Sequence, residues 1–191
     1  MIVIAAALLV LLWVQRSGKP WSDIGYVRPR SWVQTVAIGI ACGVAFKLVM
    51  KALVMPLLGA DPINQHYRYL MGNTAALPGM LFTVVVGAGW AEETLWRGFA
   101  FDRLRRILGS KPWAKVVVVA VSALLFGLAH YPDQRLAGVQ QGTIVGVVYG
   151  TVYSLTQRIW PLVIAHAAFD ITAVALIYWN VETEVAQFIF R

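Results

Sequence analysis

Gly87-Ala-Gly-Trp-Ala-Glu-Glu-Thr-Leu-Trp-Arg-Gly98 is the stretch that decides how this chain is read. It breaks an apolar run from about Pro78 to Phe101 with two adjacent carboxylates, Glu92 and Glu93, and a guanidinium, Arg97. A charged side chain at the centre of a membrane helix costs roughly 2.5–3.5 kcal/mol on insertion scales. Three so close together exceed what folding alone explains, and they mark a functional site. On a helix of about 3.6 residues per turn, Glu93 and Arg97 share a face with the acid N-terminal, so they can pair. Glu92 is turned about 100° away from Glu93 and is left free for chemistry.

Working outward, the composition sets the class. Of 191 residues, 59% are hydrophobic and 13% charged, which points to a polytopic helical membrane protein rather than a soluble domain. The net charge of +7 does not form one patch or stripe; the basic residues fall between apolar runs. Membrane topology accounts for that distribution, and no nucleic-acid partner is expected. The single cysteine, Cys42, excludes an intramolecular disulfide and reads as a small packing residue.

The fold expected is all-α, a transmembrane bundle of about six helices. Met1 to Val14 is apolar but short for a span, and it lacks the basic start and cleavage site of a signal peptide. A second helix is expected from about Ser31 to Leu58, with Gly39 and Gly43 as a small-residue contact face and Lys47 and Lys51 one turn apart. Those lysines read as snorkelling to an interface or facing a wet cavity. The residues from Gly59 to Leu77 form a polar loop with His66 in solvent. Further helices are expected over about Pro78–Leu104, Pro112–His130, Leu136–Leu155 and Trp160–Trp179; Gly142, Gly146 and Gly150 form a ridge on the fifth. The expected organisation is residues 1–77 as N-terminal helices and connectors, 78–179 as a catalytic four-helix core and 180–191 as a tail.

Basic residues fix an orientation. The connectors after the first, third and fifth helices hold Arg16, Lys19, Arg28, Arg30, Arg103, Arg105, Arg106, Lys111, Lys115 and Arg158; the other side holds Arg68, Arg135 and Arg191. The positive-inside rule puts the first group in the cytoplasm. At about 1.5 Å per residue, Glu92 lies roughly 16 Å from that end, His130 about 22 Å, His166 about 9 Å and Asp170 about 15 Å. These depths overlap enough for the side chains to meet, but leave open the side on which a site opens.

Two of the three histidines, His130 and His166, fall at these depths. His166 and Asp170 are four apart, so the carboxylate can orient the imidazole; Phe126 stands four residues before His130, an aromatic neighbour on the lip of a pocket. A carboxylate shielded from water is a stronger base when ionised, and beside an imidazole it can take a proton from water and return it to a leaving amine. A carbonyl under attack needs donors for its oxyanion, and His166 is a candidate. Ser122, Ser154 and Cys42 lack the context of a nucleophile.

Glu92-Glu93-x-x-x-Arg97, Phe126-x-x-x-His130 and His166-x-x-x-Asp170, in this order on successive helices, resemble the motifs of the CAAX protease and bacteriocin-processing family. These Abi proteins are intramembrane glutamic endopeptidases and include the type II CAAX prenyl endopeptidases. The resemblance covers roughly Pro78 to Ala175. It implies a multi-pass protein of the cell membrane that hydrolyses a peptide bond of a membrane-associated protein or peptide, with no metal or cofactor. It also implies that Glu92 is the general base, that His130 holds the water, and that His166 and residue 170 stabilise the oxyanion. Glu93 and Arg97 would be structural or substrate-orienting. Family members often have asparagine where this chain has Asp170. An ionised aspartate cannot donate, so Asp170 is either protonated or only orients His166. Prenylated C-termini, pheromone or bacteriocin precursors and anchoring tails all remain candidate substrates.

Two rival readings use the same residues. Glu92, Glu93, His130, His166 and Asp170 are all capable zinc ligands, although no H-E-x-x-H pair is present. Intramembrane carboxylates and histidines also serve proton relays, so a non-catalytic scaffold, immunity protein or proton-coupled carrier is the other.

Overall fold

The computed structural model describes residues 1–109 and 111–190, and within them every regular element is helical. Six helices carry the architecture: α1 (Ile2–Arg16), α2 (Trp32–Leu57), α3 (Thr74–Leu108), α4 (Pro112–Ala129), α5 (Tyr131–Thr156) and α6 (Trp160–Tyr178). Helices α2, α3, α4 and α6 are long and apolar enough to cross a membrane, while α1 is a shorter apolar helix. The more polar α5 includes Gln140 and Gln141. A short seventh helix, α7 (Glu182–Ala186), follows.

Local sequence explains where these helices begin. The Ser31 hydroxyl caps α2 by accepting from the Gln34 N–H at 3.3 Å. Proline stands in the first turn of α4, α5 and α6, where its missing N–H costs nothing. In α5 the backbone breaks at Arg135 (φ 53°), so the regular helix starts at Leu136, as its sequence pattern suggests. The end of α4 is likewise close to expectation, with His130 the first residue beyond it.

Small residues set the closest approaches. A Cβ on Gly43 would lie 2.2 Å from the Ala165 carbonyl oxygen, and one on Gly39 would lie 2.7 Å from the Ile164 side chain, so α2 and α6 meet almost backbone to backbone. Gly127 on α4 faces Thr143 on α5, and Gly146 on α5 faces Ala123 on α4. On α3, Gly89 abuts Ala167 and the Val163 carbonyl of α6. The outer surface is apolar, with Ile38 and Ile40 on α2 and Val116, Leu124 and Leu128 on α4 all exposed. Lipid is the environment that suits such a surface. Cys42 is on it too, exposed rather than packed between helices.

Helix α3 departs from the regular helix assumed for the charge cluster. From Thr83 to Glu92 and from Thr94 to Ala100 its backbone bonds i→i+5, a widened turn frequent at functional sites. The helical-wheel angle between Glu92 and Glu93 is therefore only approximate here.

The bundle has two unlike ends. Trp13 packs on Phe99, Arg103 lies over Trp13, Arg105 bonds Gln157, and Trp32 packs on Trp160. These contacts gather the connector 17–31, the end of α3 and the α5–α6 turn at one end, which carries the basic residues. Residues 58–73, the α4–α5 junction and α7 form the other. Arg191, assigned to that other end from sequence, lies outside the described residues.

Candidate active site

Glu92 from α3, His130 from the α4–α5 junction, and His166 and Asp170 from α6 line one cavity of about 260 Å³. The Oε2 of Glu92 is buried and has no hydrogen-bond partner. Glu93 and Arg97 lie outside that cavity, 0% and 1% exposed. They form the layer that supports it.

That layer is an ion pair extended to an imidazole. Glu93 Oε1 accepts from Arg97 Nη1 at 2.8 Å and from His166 Nδ1–H at 2.7 Å. A buried pair is stable only when further hydrogen bonds and close packing offset its desolvation. Aromatic faces supply part of this: the Arg97 guanidinium lies 4.7 Å from the centre of the Phe126 ring and 5.7 Å from that of Tyr149. The same two rings meet His166 edge-on. Phe126, expected on the lip of a pocket, is 2% exposed and belongs to the floor.

Glu93 therefore does what the sequence pattern assigns to Asp170: it fixes which nitrogen of His166 carries the proton. Asp170 Oδ2 stands 3.6 Å from His166 Nε2, too far for a hydrogen bond. The cause is the tight α3–α6 contact at Gly89, which brings Glu93 to the imidazole from the neighbouring helix. Nε2 is left facing the cavity.

His130 is held differently. Its Nδ1–H donates to the Phe126 carbonyl at 2.8 Å. In this tautomer Nε2 carries the lone pair and can accept from a water. The two imidazoles thus have distinct second partners, one a carboxylate and one a backbone carbonyl.

Toward the end away from the basic connectors, the cavity adjoins a second of about 270 Å³, walled by Asp61, Pro62, His66, Arg135 and Glu182. Lys47 and Gln141 line both, and Lys47 Nζ donates to Gln141 Oε1 at 3.1 Å. One turn on, Lys51 pairs with Glu182 at 2.7 Å. The lysines face a cavity, one of the two positions open to them from sequence. Tyr67, in the short turn Gln65–Leu70, also lines the inner cavity. Burial, with a smaller contribution from Asp133, pushes its phenol up to about 12, so it remains an O–H donor at neutral pH. Tyr67, Tyr149 and Gln141 are site neighbours that motif reasoning missed. Only Gln141 carried a signal, as a polar residue beside the glycine ridge of α5. Among the described residues, no three His, Cys, Asp or Glu side chains are grouped to hold a metal ion.

Comparison with known proteins bears on this cavity directly. The family model for Rce1-like proteins, described as type II CAAX prenyl endopeptidase Rce1-like, matches residues 74–172, just over half of the chain. The chain belongs to this family. The match runs from the start of α3 into α6 and so contains all four cavity residues. The Rce1-like chain is also 24% identical over 196 residues to the membrane-embedded CAAX protease MroQ of Staphylococcus aureus strain USA300, covering 99% of this chain and 78% of that relative. No solved structure matches it. Family membership and the four apolar helices make this an integral, multi-pass membrane protein and a membrane protease.

Proposed function

We propose that this Rce1-like protein is a glutamic endopeptidase that cleaves a membrane-associated protein or peptide with a water activated by Glu92. The observation that carries the proposal is the contrast between neighbours: each has a buried Oε2 without a partner, but Glu93 is tied through Oε1 to Arg97 and His166 and lies outside the cavity, while Glu92 lines it together with two imidazoles.

Each residue then has a step. Glu92 accepts a proton from water as the water oxygen bonds to the scissile carbonyl carbon, and the carbonyl π electrons move to its oxygen. His130 Nε2 accepts the water's other hydrogen bond and aims the attacking lone pair. When both nitrogens of His166 carry protons, Nδ1–H stays on Glu93 and Nε2–H is the donor for the oxyanion. The oxyanion collapses, the C–N bond breaks, and Glu92 returns its proton to the departing nitrogen. The products are a carboxylic acid and an amine. Asp170 orients the imidazole electrostatically from 3.6 Å; as a protonated acid it would add a second donor. Glu93 and Arg97 hold His166 in place, with Phe126 beneath both histidines.

The test is cleavage of a membrane-tethered peptide by wild type, by Glu92→Gln and by His130→Ala, with folding checked by thermal melts. Cleavage by Glu92→Gln at the wild-type rate refutes the mechanism. Strong chelator and metal analysis separate it from a zinc enzyme: stoichiometric zinc together with chelator-sensitive cleavage would sink the glutamic reading.

A further inference from the structure

Charge and cavity lie at opposite ends of this bundle. Of the 16 lysines and arginines, ten belong to the end built by residues 16–30, 103–115 and 158. No residue of those segments lines either cavity. The walls nearest the surface come from Asp61 to Leu70, from Asp133 to Arg135 and from Ile177 to Ala186. At this end Arg68 and Arg135 are the only described basic residues outside the cavity lysines. The cavity deepens from there toward Trp96, Phe126 and His166 and stops on the Glu93–Arg97 layer.

Arginine and lysine near the ends of membrane helices are retained on the cytoplasmic side, and acidic residues have little influence. Ten against two, or against five when Lys47, Lys51 and Arg191 are added from the sequence, is a large bias, spread over three separate connectors rather than one. We infer that the cavity opens on the extracytoplasmic face of the membrane, and that the substrate is an exported segment tethered at that face. The substrate half of this inference rests on the protease reading; the side of opening does not. Its chemical consequence is selective. A lipidated C-terminus on a cytosolic protein sits at the far leaflet, behind the packed Glu93–Arg97–Phe126 floor. A peptide that has crossed the membrane, or the outward flank of a single-span anchor, meets the mouth directly. Lys51–Glu182, Asp61 and Arg135 are the polar groups that it passes.

Two measurements on the full chain in bacterial membranes test this. In a Cys42→Ser background, single cysteines are introduced as His66→Cys at the mouth and Lys111→Cys at the basic end, and probed with a membrane-impermeant maleimide. The expected result is labelling of position 66 in intact cells and of position 111 only in inverted vesicles; the reverse pattern overturns the inference. In parallel, one pool of random peptide segments is displayed next to a single span, either outward or inward. The outward pool should be cut by wild type and not by Glu92→Gln, with no cleavage of the inward pool. Glu92-dependent cutting of the inward pool alone overturns the inference. Outward labelling with neither pool cut upholds the side of opening and refutes the protease mechanism instead.

Discussion

Glu92 and Glu93 are neighbours in sequence and belong to two different regions. Glu93 is in the supporting layer, where its Oε1 is tied to a guanidinium and an imidazole and the guanidinium lies on an aromatic face, although Glu93 Oε2 and Arg97 Nε and Nη2 have no hydrogen-bond partner. Glu92 is on the cavity wall, with a buried oxygen that nothing in the protein answers. The difference teaches where reactivity resides in an apolar bundle. A carboxylate tied to a cation and an imidazole supports the wall, and one without such ties faces the cavity; in the proposed mechanism the second is the one that meets substrate and water. If the comparison is sound, damage to the two glutamates should differ in kind.

The largest effect belongs to the wall. Glu92→Gln removes the proposed general base, a role worth about 10²–10⁴ in rate, and should cut peptide cleavage to that extent while leaving the melting temperature near wild type. A stability loss as large as that of Glu93→Gln would erase the distinction. Next comes the layer. Glu93→Gln strands the Arg97 charge, and breaking one side of a buried pair costs about 3–5 kcal/mol; the melting temperature should fall sharply, with activity following. Replacing both partners, Glu93→Gln with Arg97→Met, should recover part of that stability but not cleavage, because His166 still lacks its anchor.

Smaller changes sharpen the boundary between layer and wall. A methyl group on Gly89 would lie 2.9 Å from the Ala167 Cβ and 3.1 Å from the Val163 carbonyl oxygen. Gly89→Ala should therefore push α3 from α6, cost about 1–3 kcal/mol as overpacking does, and lower activity by loosening Glu93 from His166. The mildest is Tyr26→Phe. It deletes the 2.7 Å hydrogen bond between the basic connector and buried Thr94, worth about 1 kcal/mol. Thermal melts and cleavage rates should show a small loss of stability with cleavage per folded molecule unchanged.

Much of the frame could be read from residue types alone. Apolar runs ended by proline, serine and glycine gave six helices close to those observed, and Gly39, Gly43, Gly142 and Gly146 marked faces that do pack. The i,i+4 rule found Glu93–Arg97. It could not find Glu93–His166, because that bond spans 73 residues and depends on how closely α3 approaches α6. Asp170 does stand beside His166 as its spacing suggests, at ion-pair distance (3.6 Å) and without a hydrogen bond, while the hydrogen-bonded partner comes from a helix that local spacing does not reach. The widened turns of α3 left no trace in a periodicity argument built on 3.6 residues. Nor did sequence suggest that Glu182, in what read as a tail, would fold back onto Lys51 and the Asn64 N–H; a short polar segment carries no pattern that says what it covers.

The bond from the His130 ring to the Phe126 carbonyl has a consequence for mutagenesis and for drift. That carbonyl belongs to the last turn of α4, where no following amide is available to it. The imidazole thus finishes a helix with one nitrogen and, in the proposed mechanism, steers a water with the other. Any replacement must satisfy both demands, so His130→Ala frays α4 as well as removing an acceptor. Only a side chain with an N–H on the near side and a lone pair on the far side could meet both.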